Sequence, residues 1–114
     1  MSEDAPAIGD IAALAIDSAD PQALARWWAR LLGGSVEVDS DGDATLRAPG
    51  GLAIDFAKVP ESKTAKNRLH LDVTTHDVGL LVDAGAVVLR PQDDEIGWTV
   101  LADPDGNEFC AFAG

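Results

Sequence analysis

The feature that most constrains the fold of this chain is a β-hairpin pattern near its C-terminus. Two runs rich in aliphatic, aromatic and β-branched residues, Trp98–Ala102 and Asn107–Phe112, flank the sequence Asp103-Pro104-Asp105-Gly106. Asp, Pro and Gly in this order are typical of a tight turn. A shorter copy of the pattern, with Pro and two Gly before an apolar run, lies in residues 47–56. The repetition predicts a chain built from two similar halves.

The first half is predicted to have one strand, one helix and three further strands. Asp20 before Pro21 is a strong helix-start signal, and Gly33 a stop signal, so they predict a helix over Pro21–Leu32. The adjacent Trp27 and Trp28 of this helix point in different directions. The default expectation for both is the core, with one packed on the sheet and the other near an edge or a dimer contact. The predicted strands are Ile11–Ile16, Ser35–Val38, Ala44–Ala48 and Leu52–Val59.

The same order is predicted to recur after a polar connection at residues 60–67. Alternation favours a strand over Leu69–Val73, and Thr75 or Asp77 can cap a short helix over Val78–Ala84. Val87–Leu89 and the hairpin complete the second half. We therefore predict an α+β fold with tandem βαβββ modules at about 10–59 and 68–113, a linker at 60–67, and one domain over 8–114.

Composition limits the possible partners. Twenty acidic and eight basic residues among 114 give a formal net charge of -12, which disfavours binding to nucleic acid. No apolar run reaches the length of about 18 residues that is needed to span a membrane, and Met1–Pro6 is acidic where a signal peptide would be basic. Cys110 is the only cysteine, so no intrachain disulfide can form. We expect a cytoplasmic protein with no nucleic-acid or membrane partner.

Three strings in this layout resemble the vicinal oxygen chelate superfamily, which includes glyoxalase I, bleomycin-resistance proteins and extradiol dioxygenases. They are Asp20-Pro21 continuing to Ala25–Gly33, then Asn67–Val73, then Leu101–Cys110. The resemblance covers nearly the whole chain and is strongest for small glyoxalase-like proteins. It implies a curled sheet around a cleft, which is the glyoxalase/bleomycin-resistance/dioxygenase fold, and a homodimer.

The resemblance also implies where a metal ion would bind. Each module of metal-using members offers one side chain from its first strand and one from its last. The corresponding positions are Ala13, Asp55, His70 and Cys110, where members usually have His, Glu or Gln. Ala13 has no donor atom and Cys110 offers sulfur, so we predict no intact metal site. Any divalent ion such as zinc, iron or nickel would bind Asp55, His70 and Cys110.

The first functional hypothesis is that the cleft binds a small organic molecule without a metal. Its expected ligand-binding residues are His70, Asp55, Trp98 and Cys110, with Trp98 stacking on an aromatic or cationic group. Two of these also have simpler structural interpretations, since His70 fits a half-buried hydrogen-bonded imidazole and Cys110 a small buried apolar residue. A second hypothesis is a divalent-metal-dependent lyase, isomerase or dioxygenase acting on vicinal oxygens. A third is a non-catalytic dimeric structural or regulatory domain.

Overall fold

A computed structural model of the chain describes residues 3–113 and contains two mixed four-stranded sheets. Met1, Ser2 and Gly114, the last residue of the predicted domain, lie outside the described residues. The elements are β1 (Leu14–Ser18), α1 (Pro21–Leu32), β2 (Ser35–Val38), β3 (Ala44–Arg47), β4 (Ala53–Lys58), β5 (Leu71–Thr75), α2 (Val78–Asp83), β6 (Val87–Arg90), β7 (Thr99–Ala102) and β8 (Glu108–Ala113). The predicted α+β order of strand, helix and three strands, repeated once, is confirmed.

The two sheets have the same topology. The first sheet has the order β1-β4-β3-β2, and the second sheet has the order β5-β8-β7-β6. In each, the first strand of the half pairs in parallel with the last, and the remaining pairs are antiparallel. Strands β1 and β5 therefore form corresponding edges. Both begin later than predicted, because Ile11 and Leu69 precede any pairing and are largely exposed.

Helix α1 has the predicted bounds because its end signals act as expected. The Asp20 carboxylate accepts a hydrogen bond from the backbone N–H of Ala23 at 3.2 Å, and Pro21 occupies the first turn. Gly33 follows the helix with φ of 79°. The shorter helix α2 is capped by Asp77, whose side chain accepts from Gly79 N–H at 2.8 Å. Neither helix in residues 3–113 is long and apolar enough to cross a membrane.

Helix α1 supplies one core that both sheets share. Trp28 is 1% exposed, and its ring packs edge-on against Phe109 of β8 with centroids 5.0 Å apart. Trp27 donates from Nε1 to the carbonyl of Ala84 at 2.8 Å. Both indoles are buried, as the default core expectation has it, and neither lies at an exposed edge. Since each sheet turns its buried face to this core, its other face points outward.

The β7–β8 turn is fastened to α1 through Asp103, which is 3% exposed. Its carboxylate accepts hydrogen bonds from the backbone N–H groups of Asp105 and Asn107, both at 2.9 Å, which fixes the turn. It also accepts from Trp28 Nε1 at 3.0 Å. The turn chemistry seen in the sequence thus also joins the two halves of the molecule.

Candidate functional site

Three of the four predicted ligand-binding residues belong to the outward side of the second sheet. Cys110 of β8 is paired with Asp72 of β5, and alternation places both side chains opposite the buried face. Trp98 lies just before β7 and packs on Phe112 with ring centroids 5.6 Å apart. His70 precedes β5 directly.

His70, Asp72 and Cys110 form a cluster of potential metal ligands. One donor atom from each lies within 4.8 Å of the others. Nδ1 of His70 is 3.2 Å from Oδ1 of Asp72, and both side chains are about half exposed, at 50% and 58%. Burial raises the pKa of the Cys110 thiol, and the Asp72 carboxylate raises it further. The thiol therefore stays protonated at neutral pH in the absence of a cation.

Asp55 lies on the other sheet. Its side chain is exposed, and its carboxylate accepts a hydrogen bond from the Thr45 hydroxyl at 2.7 Å. It is paired with Ala15 of β1, which corresponds to Asp72 in the second half. The structure thus brings His70 and Cys110 together with Asp72, and leaves Asp55 on the outward side of the first sheet.

These donors do not fit the four-ligand site expected for an oxygen-preferring ion. Ala13 offers no donor atom, and a protonated, buried thiol is a poor partner for a hard cation. The set of one imidazole, one carboxylate and one potential thiolate instead suits a softer ion such as zinc. Asp72 supplies the third potential donor of this set, in the place that the sequence pattern had given to Asp55.

A pocket of the described chain, which we call the seam pocket, lies between the two halves. Its volume is about 590 Å³. Strand β1, the linker, the start of β5 and the β7–β8 turn surround it, and its walls include Trp28, Leu71 and Phe109. His70 and Lys66 also line it and are exposed, so they lie at its rim. Of the predicted ligand-binding residues, His70 alone lines this pocket.

The aromatic floor of this pocket includes Trp28, which the sequence pattern assigned only to the core. Trp28 is 1% exposed, yet it borders the cavity beside Phe109. No sequence signal distinguishes a core aromatic from one that faces a cavity. The two lysines of the linker stand out in an acidic chain, but the polar composition of the linker gave no indication that it covers a pocket.

The family model described as "Glyoxalase-like domain" matches residues 13–112. No curated protein sequence is significantly similar to the chain.

Solved structures share the fold at low sequence identity. The fosfomycin resistance protein FosX from Mesorhizobium loti is 13% identical with a TM-score of 0.71, over 95% of this chain and 94% of that one. FosX from Listeria monocytogenes, complexed with Mn(II) and 1S,2S-dihydroxypropylphosphonic acid, is 14% identical with a TM-score of 0.73, over 95% and 92%. A possible glyoxalase from Bacillus cereus is 18% identical with a TM-score of 0.70, over 93% and 99%.

Proposed function

The chain belongs to the glyoxalase-like domain family, and from this premise we propose that it binds a small organic molecule in the seam pocket without needing a metal ion. The observation that carries the proposal is the pocket itself. Its volume of about 590 Å³ falls within the range of roughly 300–1,000 Å³ typical of small-molecule sites. A structural neighbour complexed with Mn(II) and a small organic acid supports small-molecule binding by this fold.

The walls of the pocket favour a ligand with an apolar body and polar ends. Trp28 and Phe109 offer aromatic surface for a ring or an alkyl group. At the rim, Lys66 provides positive charge, His70 provides hydrogen-bonding groups, and Asp17 and Glu61 provide carboxylates. We assign His70 the role of a polar anchor, because its imidazole can donate or accept a hydrogen bond.

The proposal includes a homodimer, because Asp55 and Cys110 lie on sheets whose outward sides have no partner within the described chain. A second copy that covers one of these sides would turn an open sheet into a closed cleft. Charge opposes self-association at a net charge of -12, so apolar contact must offset it. Sedimentation equilibrium at micromolar concentration should give the mass of two chains, and a monomer under these conditions would contradict the dimer.

Ligand binding is tested with a fluorescent probe and a variant that fills the pocket. We expect 8-anilino-1-naphthalenesulfonate to bind the parent protein saturably, and the complex then serves to screen aromatic, glycopeptide and cationic compounds by displacement. Ala15→Leu adds side-chain volume at a residue that lines the pocket, and should weaken binding about tenfold. The matched control is Ala57→Leu on neighbouring β4, which is not part of the pocket lining.

His70→Ala should lower the affinity for the probe about fivefold, as expected for one lost hydrogen bond. Absence of saturable binding to the parent, or equal affinity in Ala15→Leu and Ala57→Leu, would remove the basis of the proposal.

A second candidate function follows from the His70–Asp72–Cys110 cluster, whose donor atoms lie within 4.8 Å of one another. A zinc ion held there would supply a Lewis acid for chemistry on ligand oxygens. Calorimetric titration of the stripped protein with zinc should then give one site. His70→Ala and Asp72→Ala should abolish it, whereas Asp55→Ala should retain it. No heat of binding in the parent would exclude this function.

A further inference from the structure

The linker is an irregular strap, here defined as residues 60–68, that forms one wall of the seam pocket. It contains neither helix nor strand, and residues 61–67 all line the cavity. Within the described residues, its hydrogen bonds and its ion pair all go to Asn107 and Glu108, at the start of β8. One short attachment therefore carries all the hydrogen bonds that the strap makes within the described residues.

The attachment has two parts. Lys63 Nζ lies 3.3 Å from Oε2 of Glu108, and the two side chains are only 21% and 20% exposed. Asn67 donates its backbone N–H to the same carboxylate at 3.3 Å, and its side-chain oxygen accepts from the backbone N–H of Glu108 at 3.3 Å. Asn67 also donates from Nδ2 to Oδ1 of Asn107 at 3.2 Å. The Lys63 ion pair and the Asn67 backbone N–H therefore meet on the carboxylate of Glu108, whereas the Asn67 side chain bonds the Glu108 backbone N–H and Asn107.

The body side of this attachment is fixed. The Asn107 side chain donates to both oxygens of Asp103, at 3.3 and 3.0 Å, and Asp103 is in turn held by Trp28. Charge-assisted bonds at partly buried sites are stronger than bonds on an open surface. A wall that can open needs a fixed attachment point and a segment that can move away from it, and the β7–β8 turn and the strap provide these two parts.

From this geometry we propose that Glu108 and Asn67 are positioning residues that latch the strap over the seam pocket and thereby control access to it. The inference deepens the proposed function and rests on it for its biological meaning, because a wall matters only if the pocket takes a ligand. Its physical content, a strap held at two residues, is independent of any ligand. The test therefore uses measurements made without one.

Limited trypsin digestion reports opening of the strap, since Lys66 and Arg68 offer cleavage sites within it. Glu108→Ala and Asn67→Ala should each speed cleavage after Lys66 about tenfold, because cleavage follows the population of the open form. Glu108→Gln should give a smaller increase, since the amide oxygen can still accept from Asn67. The matched control is Glu37→Gln, which breaks an exposed ion pair with Arg47 on the first sheet and should leave the rate unchanged.

Acrylamide quenching reports access to the pocket. In a Trp98→Phe background, the remaining indoles are the buried Trp27 and Trp28, of which Trp28 lines the cavity. Glu108→Ala should raise the quenching constant about twofold while near-ultraviolet circular dichroism stays native. If Glu108→Ala itself fails to fold, Asn67→Ala decides, because its side chain lies on the strap and outside the core.

Two results would overturn the latch. Cleavage after Lys66 that is equal in Asn67→Ala and Glu37→Gln would show that the attachment does not hold the strap. Faster cleavage without increased quenching would show that the strap does not control the pocket. Failure of the dye titration would remove the proposed ligand site and leave both of these measurements interpretable.

Discussion

The bond between Trp28 and Asp103 should be the strongest single polar link between the two halves of the molecule. It joins α1 to the β7–β8 turn at 3.0 Å, where Trp28 is 1% and Asp103 3% exposed. A hydrogen bond to a charged group contributes about 1.5–3 kcal/mol, and a buried donor left without its acceptor costs a similar amount. Asp103→Ala also leaves the backbone N–H groups of Asp105 and Asn107 without their acceptor. We therefore expect it to lower the free energy of unfolding by about 3–4 kcal/mol, and the melting temperature by roughly 15 °C.

A double-mutant cycle isolates the bond itself. Trp28→Phe removes the indole N–H, and Asp103→Ala removes the acceptor, so urea unfolding of the two single variants and the double variant gives the coupling energy. We expect about 1–2 kcal/mol, with unchanged denaturant dependence. The control cycle uses Thr45→Ala and Asp55→Ala, whose bond is shorter at 2.7 Å but exposed, and should give at most about 0.5 kcal/mol. Equal coupling in the two cycles would refute the argument that burial decides the strength.

Two further predictions concern backbone conformation and thiol chemistry. Gly34→Ala should lower the free energy of unfolding by about 3 kcal/mol, because Gly34 has φ of 96° and an added Cβ would meet the Arg47 carbonyl. Gly42→Ala, at a similar φ of 90° with open space around it, should lower it by only about 1 kcal/mol. Equal losses of stability in the two variants would contradict the clash at Gly34. Asp72→Asn should speed alkylation of Cys110 by iodoacetamide at neutral pH, since the Asp72 charge raises the pKa of the thiol and its loss increases the thiolate fraction; an unchanged rate in the folded protein would contradict this.

The fold could be predicted well wherever the sequence carries stereochemical signals. Asp20-Pro21 and Gly33 fixed both ends of α1 because each acts through its own backbone geometry. Strand starts were less certain, since Ile11 and Leu69 are as apolar as the strands that follow them, and only pairing decides where a strand begins.

The site was less predictable because it depends on distances between elements. The position of Cys110 beside His70 was implied by the family resemblance, but the register that brings Asp72 beside Cys110 had to be observed. Asp55 and Cys110 occupy equivalent positions in the two halves, but these positions lie on different sheets, so the two side chains are not brought together within the chain. The two tryptophans show the same limit, because helix geometry gives their directions but not which sheet each direction reaches.

The sharing of α1 between the sheets has a consequence for how the halves can exist apart. Helix α1 has 12 residues and α2 has 6. The two halves are therefore unequal, and α1 supplies most of the helical packing in the shared core. The second half alone would expose the surface that Trp27 and Trp28 cover, and should not be stable by itself. A chain cut once in the strap should nevertheless stay assembled, because α1 of the first fragment would still fill the core against the second fragment.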